Sequence, residues 1–214
     1  MGFVCLLCRL VKVRAVMDGI DMETAVEPIA LFIAWMKAAE ASELNDASAV
    51  ALATATRDSV PSVRMVLMKR VDERGFCFYT NAESQKGVEL AENPRAAMCF
   101  HWKSLLRQVR ISGDVSELSA EEADDYFASR SRLSQLGAVA SQQSRVLAGR
   151  EVLEARVREL ERTFPEKIPR PAYWRGYVLR PERIEFWNSG EGRMHERFLF
   201  SRSGEGWRKE RLYP

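Results

Sequence analysis

Apolar and polar positions change period along the chain, and the changes mark its elements. Ile29, Phe32, Ile33 and Met36, with Trp35 beside them, recur at helical spacing and predict a helix over 28–41. A short apolar run predicts a strand over 49–56, and Arg57-Asp58-Ser59 turns the chain. Pro61 opens a second strand, reaching 70, at a position proline tolerates. A turn at 72–75 leads to a third strand over 75–80. Three strands joined by short turns predict an antiparallel meander. Ser84 can cap a helix that ends near Asn93-Pro94, since proline disfavours helix in the residue before it. Strands follow over 95–102 and 108–117. In the latter, Val109 and Ile111 face one way and Gln108 and Arg110 the other.

Ser119-Ala-Glu-Glu122 is a capping-box signal, opening a helix through Tyr126 and Phe127 to about Arg130. Further helical pieces are predicted at 135–140 and 150–164. Leu153, Val157, Leu160 and Phe164 keep helical spacing in the second, whose charged residues suggest a solvated face. Pro165, Pro169 and Pro171 mark a connector. Strands are then expected over 174–179, 183–187, 194–202 and 207–212, with tight turns at Gly190-Glu191-Gly192 and Gly204-Glu205-Gly206. The pattern predicts roughly eight strands and a mainly β (α+β) fold. It reads as one antiparallel barrel domain over 28–214, with peripheral helices and a helical insert at 119–164. The last strands are too few to form a core alone, so the connector is not read as a domain boundary.

Composition narrows the partners. A chain of 214 residues, 46% hydrophobic and 29% charged, is expected to be globular and soluble. Its net charge of +2 calls for neither nucleic acid nor an anionic membrane. Residues 1–16 are apolar but interrupted by Arg9, Lys12 and Arg14. They are too short and charged to span a bilayer, and they lack the features of a secretory signal. Residues 1–27 are read as an arm, either disordered or partly a translated stretch upstream of a start at Met17 or Met22. Cys77 and Cys99 sit in apolar runs that suit buried free thiols. Cys5 and Cys8 form a single C-L-L-C, a weak zinc signal on its own, and no metal site is expected. Without a disulfide framework, a reducing cytoplasm is the expected compartment.

The stretch 64–87 carries the candidate chemistry. Arg64 and Lys69 lie on one predicted strand, Tyr79-Thr80 closes the next, and Lys86 and Gly87 fall in the first turn of the helix capped by Ser84. A helix N-terminus with nearby cations is a ready anion site; the alternative is a plain hairpin with solvated basic residues. His101, beside Trp102 in an apolar strand, is expected to be structural. On a strand, Arg193, His195 and Arg197 would share one face. They would either meet an anion or π system there or lie on a solvent-facing edge. No G-x-S-x-G elbow, H-E-x-x-H pair or G-x-G-x-x-G turn is present. The residues alone reach a β-barrel that binds a phosphorylated aromatic ligand.

I-E-F-W, five residues, then R-M-H-E-R (184–197) resembles the C-terminal signature of pyridoxine/pyridoxamine 5′-phosphate oxidases. R-M-V-L-M-K, F-Y-T-N-x-x-S-x-K-G, R-Q-V-R, Y-F-x-S-R and the S-Q-Q-S run match that family in order and at similar spacing, over about 28–214. The resemblance implies an FMN-binding split barrel, a homodimer with flavin at the subunit interface. It assigns to FMN the run Arg64, Met65, Val66, Leu67, Met68 and Lys69, then Tyr79, Thr80, Gln85, Lys86, Gln108, Gln143, Ser144, Trp187 and Arg197. Lys69, Tyr126, Arg130 and Ser134 would hold a substrate phosphate, with Arg193, Met194 and His195 at the pyridine end. Arg193 and His195 are the catalytic candidates.

The implied reaction oxidises C4′ of pyridoxine or pyridoxamine 5′-phosphate to give pyridoxal 5′-phosphate. A hydride equivalent passes to the flavin, oxygen becomes hydrogen peroxide, and the amine substrate then loses ammonia by hydrolysis. Arg64 and Lys69, five apart, would face opposite sides of a regular strand, which suits one to FMN and the other to substrate. The chain departs from the family pattern at Gln85, Ser131, Asn188 and Glu196, where arginine, proline, glutamine and aspartate are usual. A dihydrophenazine-type oxidase on the same barrel, or a non-catalytic binder of FMN or pyridoxal phosphate, are the alternatives. Lys69, Tyr126, Arg130 and Ser134 together favour a phosphorylated substrate, and Arg193 with His195 argues against a mere binder.

Overall fold

The computed structural model describes residues 21–214; the C-L-L-C pair and most of the N-terminal arm lie outside the described residues. Helix α1 (Pro28–Glu40) starts on a proline, whose missing N–H costs little in a first turn. Its Leu31, Phe32, Trp35, Met36 and Ala39 are buried. The Phe32 ring meets Phe76, Phe100 and Trp102 at centroid distances of 4.8, 5.1 and 5.8 Å. Trp35 packs edge-on against Phe186 at 5.2 Å. One helix thus ties together rings from several strands, and the edge-to-face contacts suit the ring quadrupoles.

Nine strands form one antiparallel sheet among the described residues. β1 (Ala49–Ala55) pairs with β2 (Pro61–Leu67), and β3 (Arg70–Asp72) pairs with β4 (Gly75–Asn81). The expected meander is therefore corrected: β4 pairs with β3 and β7, not with β2. The expected strand over 61–70 is divided at Met68-Lys69. The Met68 N–H donates to Ser48 O at 2.9 Å and the Lys69 N–H to Cys77 O at 2.8 Å. Successive residues of extended chain point to opposite sides, so this dipeptide leaves the β1 side and joins the β4 side. The sheet path runs β2-β1-β5-β6-β7-β4-β3, and its two ends are joined through that dipeptide. This closes the sheet into a barrel.

Helix α2 (Gln85–Glu92) follows β4, with Ser84 as its N-cap accepting from the Gly87 N–H. β5 (Arg95–Trp102) and β6 (Arg107–Glu117) form the next hairpin. The alternation of β5 buries Met98, Phe100 and Trp102 and turns His101 outward, so His101 is exposed on the outer face and not a core residue. Cys77 is buried and Cys99 only half-buried; both thiols are free. Ser119 and Glu122 complete the expected capping box at helix α3 (Ala120–Ser129). Helix α4 (Arg132–Ala140) starts earlier than expected because Ser131 caps it through the Ser134 N–H. Helix α5 (Arg150–Thr163) is exposed along its outer side.

The two strands expected over 174–187 are one, β7 (Trp174–Asn188). Pro181 sits in a bulge opposite Gly113, where no ladder N–H is required, so the strand runs on through it. β4 occupies the first half of one β7 edge and β8 (Glu196–Ser203) the second half; β9 (Gly206–Arg211) pairs with β8. β8 begins at Glu196, two residues later than expected, because a 3-10 turn at Glu191–Arg193 holds the chain first.

Candidate functional site

A cavity of about 820 Å³ opens beside the N-terminus of α2. Arg64, Met65, Val66, Leu67 and Lys69 line it from β2 and the crossing, and Tyr79 and Thr80 from β4. Gln85 and Lys86 come from α2, while Tyr126, Arg130, Ser134, Gln143 and Ser144 come from the helical insert. Arg64 and Lys69 share this cavity, so the expected opposite facing is corrected. The strand has ended at Leu67, and the period-two rule does not carry across the crossing.

Lys86 is 6% exposed. Its ammonium donates to Thr80 Oγ1 at 3.2 Å, Ser84 Oγ at 3.1 Å and Gln143 Oε1 at 3.2 Å. These partners satisfy its three N–H groups and are all neutral. Burial first, then the charge of Arg64, pushes its pKa down to about 8 against the opposing pull of the Glu89 carboxylate. Gly87 follows, and a Cβ there would lie 2.3 Å from Ala82 O, so only glycine lets the helix start this close to the preceding turn. Ser144, in the left-handed region at φ 72°, accepts from the Gln85 N–H at 3.2 Å. The helix N-terminus and its buried lysine, with the charge of Arg64 beside them, fit a phosphate.

Three rings stack on one wall. Tyr79 lies 4.1 Å from Tyr126 and 5.4 Å from Trp174, at interplanar angles of 18° and 10°. The Arg130 guanidinium lies 5.1 Å from the Trp174 ring, and its buried Nη1 has no hydrogen-bond partner. A buried donor without a partner costs about 1–3 kcal/mol, so Arg130 is suited to an incoming anion. Trp174 escaped the sequence reading because it reaches this wall from 95 residues beyond Tyr79.

The remaining candidates do not line this cavity. Met68 is buried beneath the crossing. Gln108 is in register with Trp187 across β6 and β7. The Trp187 ring lies 4.6 Å from His195, whose Nδ1 accepts from the Gly190 N–H at 3.2 Å. Arg193 is exposed in the left-handed region at φ 66°, and Met194 is exposed. Arg193 and His195 precede β8, so the shared strand face expected for Arg193, His195 and Arg197 is corrected. Arg197 donates through Nε to Glu185 Oε1 at 2.8 Å and through Nη1 to Tyr213 O at 2.8 Å. Glu185 was missed; a carboxylate inside the apolar run I-E-F-W was its signal. Asn188 and Glu196, two of the departures, are cross-strand partners. Tyr79 is in register with Gly176, and Trp187 follows 11 residues later on the same strand. At about 3.3 Å per residue that is at most roughly 36 Å measured along the strand.

Among the described residues no group of three or more His, Cys, Asp or Glu side chains is placed to hold a metal. No helix among them is long and apolar enough to cross a membrane.

Comparison with known proteins gives consistent matches. Residues 36–164 match the family model described as pyridoxamine 5′-phosphate oxidase, and residues 174–214 match the pyridoxine 5′-phosphate oxidase C-terminal dimerisation region. The pyridoxine/pyridoxamine 5′-phosphate oxidase of Gluconobacter oxydans (strain 621H) is 55% identical, covering 90% of this chain and 97% of that protein. That of Agrobacterium fabrum (strain C58 / ATCC 33970) is 54% identical, covering 91% and 96%. The crystal structure of PhzG from Burkholderia lata 383, in complex with tetrahydrophenazine-1-carboxylic acid, has a TM-score of 0.86 at 34% identity and covers 92% of this chain and 99% of that one. A pyridoxamine 5′-phosphate oxidase-related, FMN binding protein from Nostoc punctiforme PCC 73102 shares the fold, with a TM-score of 0.71 at 19% identity over 89% and 99%.

Proposed function

Because this chain belongs to the pyridoxine/pyridoxamine 5′-phosphate oxidase family, we propose that its cavity holds FMN and a B6 phosphate side by side and that the protein makes pyridoxal 5′-phosphate. One observation carries the reading: a single ring-walled cavity has a buried lysine with only neutral hydrogen-bond partners at a helix N-terminus and, separately, an orphaned arginine donor beside a stack of rings. Each is an anion site, and the two ligands bring one phosphate each. FMN, when bound, supplies the redox chemistry, taking a hydride equivalent from C4′ and passing electrons to oxygen to give hydrogen peroxide.

The protein's residues bind and orient. Arg64, Lys86, Thr80, Gln143 and Ser144 hold the flavin phosphate. Arg130, Lys69, Tyr126 and Ser134 hold the substrate phosphate. Arg193 and His195 fix the pyridine end at attack distance. The Gly190 N–H on Nδ1 leaves Nε2 of a neutral His195 as a hydrogen-bond donor.

The protein works as a homodimer, and the flavin site lies at the interface. The roughly 36 Å of strand between the two residue groups supports this, since a second copy can bring Trp187, His195 and Arg197 to the cavity. The exposed apolar stripe of Val63, Met65 and Leu67 along β2 beside the cavity is a surface for that copy. Residues 28–214 act as one split-barrel domain with the insert at 119–164. The free thiols of Cys77 and Cys99 suit the cytoplasm, and the product suits a role in vitamin B6 supply. The phenazine alternative has the weaker support, since PhzG shares 34% identity and the B6 oxidases 55%.

Anaerobic mixing of FMN-loaded protein with pyridoxamine 5′-phosphate should bleach the flavin absorbance. An unchanged spectrum with every B6 phosphate would remove the reading.

A further inference from the structure

Glu89 lies one turn after Gln85 on α2, is 4% exposed and does not line the cavity. Its carboxylate gathers donors from three elements. The Thr54 hydroxyl reaches it from β1. The Ser62 hydroxyl, at 2.6 Å, and Arg64 Nη2, at 3.3 Å, reach it from β2. Gln85 Nε2 reaches it from its own helix at 3.0 Å. The same hydroxyls hold Arg64 a second time: Nη1 donates to Thr54 Oγ1 at 2.5 Å and to Leu52 O at 3.1 Å, and Nη2 donates to Ser62 Oγ. Both terminal nitrogens of Arg64 are thus fixed on the sheet side of a side chain that also lines the cavity. Burial opposes the Glu89 charge, yet the hydroxyls, the Gln85 amide and Arg64 hold the carboxyl below its usual range. The lone pairs of this carboxylate are used inside the network and none is left for the cavity.

We propose that Glu89 is a positioning residue that presets the Arg64 guanidinium and the Gln85 amide, and so gives the site its preference for a phosphorylated over an unphosphorylated flavin. The proposal rests on the FMN reading above. It also accounts for Gln85, where arginine is usual in the family: the amide caps the second oxygen of Glu89 without competing with Arg64 for its charge.

The test titrates apo-protein with FMN and with riboflavin, followed by flavin fluorescence, for the wild type, Glu89→Gln, Arg64→Ala and the double variant. Wild type should bind FMN more tightly than riboflavin. Glu89→Gln should weaken FMN by about tenfold, the size of one charge-assisted hydrogen bond, and leave riboflavin within about twofold. In the Arg64→Ala background Glu89→Gln should change FMN affinity by less than about twofold, since the coupling runs through that arginine. Ser62→Ala, which removes the hydroxyl shared by Glu89 and Arg64, should reproduce the selective loss and serves if Glu89→Gln does not fold. Equal weakening of both flavins would make Glu89 a structural tie and overturn the proposal. Tighter FMN binding by Glu89→Gln, or a full effect surviving Arg64→Ala, would overturn it as well. A wild type with no affinity for FMN would overturn the underlying reading too, whereas the other outcomes bear on Glu89 alone.

Discussion

Lys86 is buried and Arg130 half-buried, and the two cations are left with different needs. Arg130 has an unpartnered Nη1, and burial holds its pKa below the ordinary arginine value. Arg130→Ala should raise the KM for the phosphorylated substrate about 10–100-fold, the worth of hydrogen bonds to a charged group. FMN affinity should stay unchanged; equal loss of FMN would assign Arg130 to the other ligand. Lys86 is satisfied in hydrogen bonds by neutral partners, and burial, more than Glu89 offsets, holds its pKa down at about 8. A phosphate favours its charged form, so binding takes up a proton as pH passes about 8. FMN affinity should be flat below that pH and fall above it, and Lys86→Arg should flatten the profile. For stability the sign is opposite. The unfolded chain, with a lysine pKa of 10.5, binds more protons than the fold between about 8 and 10.5, so the apo-protein gains stability across that window. Titrations at pH 7 and 9.5, with thermal melts of the apo-protein, check both signs. Lys86 was legible as a cation in a capped first turn. The orphaned state of Arg130 was not, because it depends on Trp174 and Phe127 packing around it.

Among the elements, β7 and α3 carry the clearest consequences. A Cβ on Gly113 would lie 1.9 Å from Arg180 O, at the bulge that lets β7 run past Pro181. Gly113→Ala should cost about 1–3 kcal/mol, as overpacking does, which lowers Tm by about 2–4 °C per kcal/mol in a chain of this size. An unchanged melt would mean that the bulge yields freely. At α3, Glu122 completes the capping box and also accepts from Arg74 and Arg70. Those guanidiniums, Arg74 first, hold its carboxyl well below the ordinary value of 4.5. A depressed acid pKa stabilises the fold above the unfolded value and stops doing so as pH falls through the folded one. The stability advantage of wild type over Glu122→Gln should therefore be constant from pH 7 to about 5 and shrink below about 4.5. A constant difference down to pH 3 would remove Glu122 from the acid response. The capping box could be read from four letters because it is local. The Arg74 contact could not, because it spans 48 residues.

At the scale of the whole molecule, the barrel closes through Met68-Lys69, and the candidate residues fall into two groups well separated along β7. If a second copy completes each site, flavin and dimer are linked, since a ligand stabilises the state that binds it. Saturating FMN should tighten the dimer, by about 2.7 kcal/mol for each site filled at a hundredfold excess over Kd. Dilution of the holo-protein into the monomer range should release flavin. Sedimentation with and without FMN measures the link, and a monomer with full FMN affinity would contradict the two-chain site.

The sequence by itself determined what is local or periodic. It placed helix α1, though with Ile33 exposed rather than in the buried stripe, the Ser84 and Ser119 caps and the alternation of β6, because these depend on neighbours a few residues apart. Through its motifs it also identified most of the residues that line one cavity. Pairing was decided only by the tertiary structure. A two-residue crossing sends β3 to β4 instead of continuing β2, and a bulge carries β7 through a proline. Neither has a periodic signature, since each depends on which distant strand receives an N–H. The same reason hid Glu89, Glu185 and Trp174. Each touches the site through partners on other elements, and only the closed barrel brings those elements together.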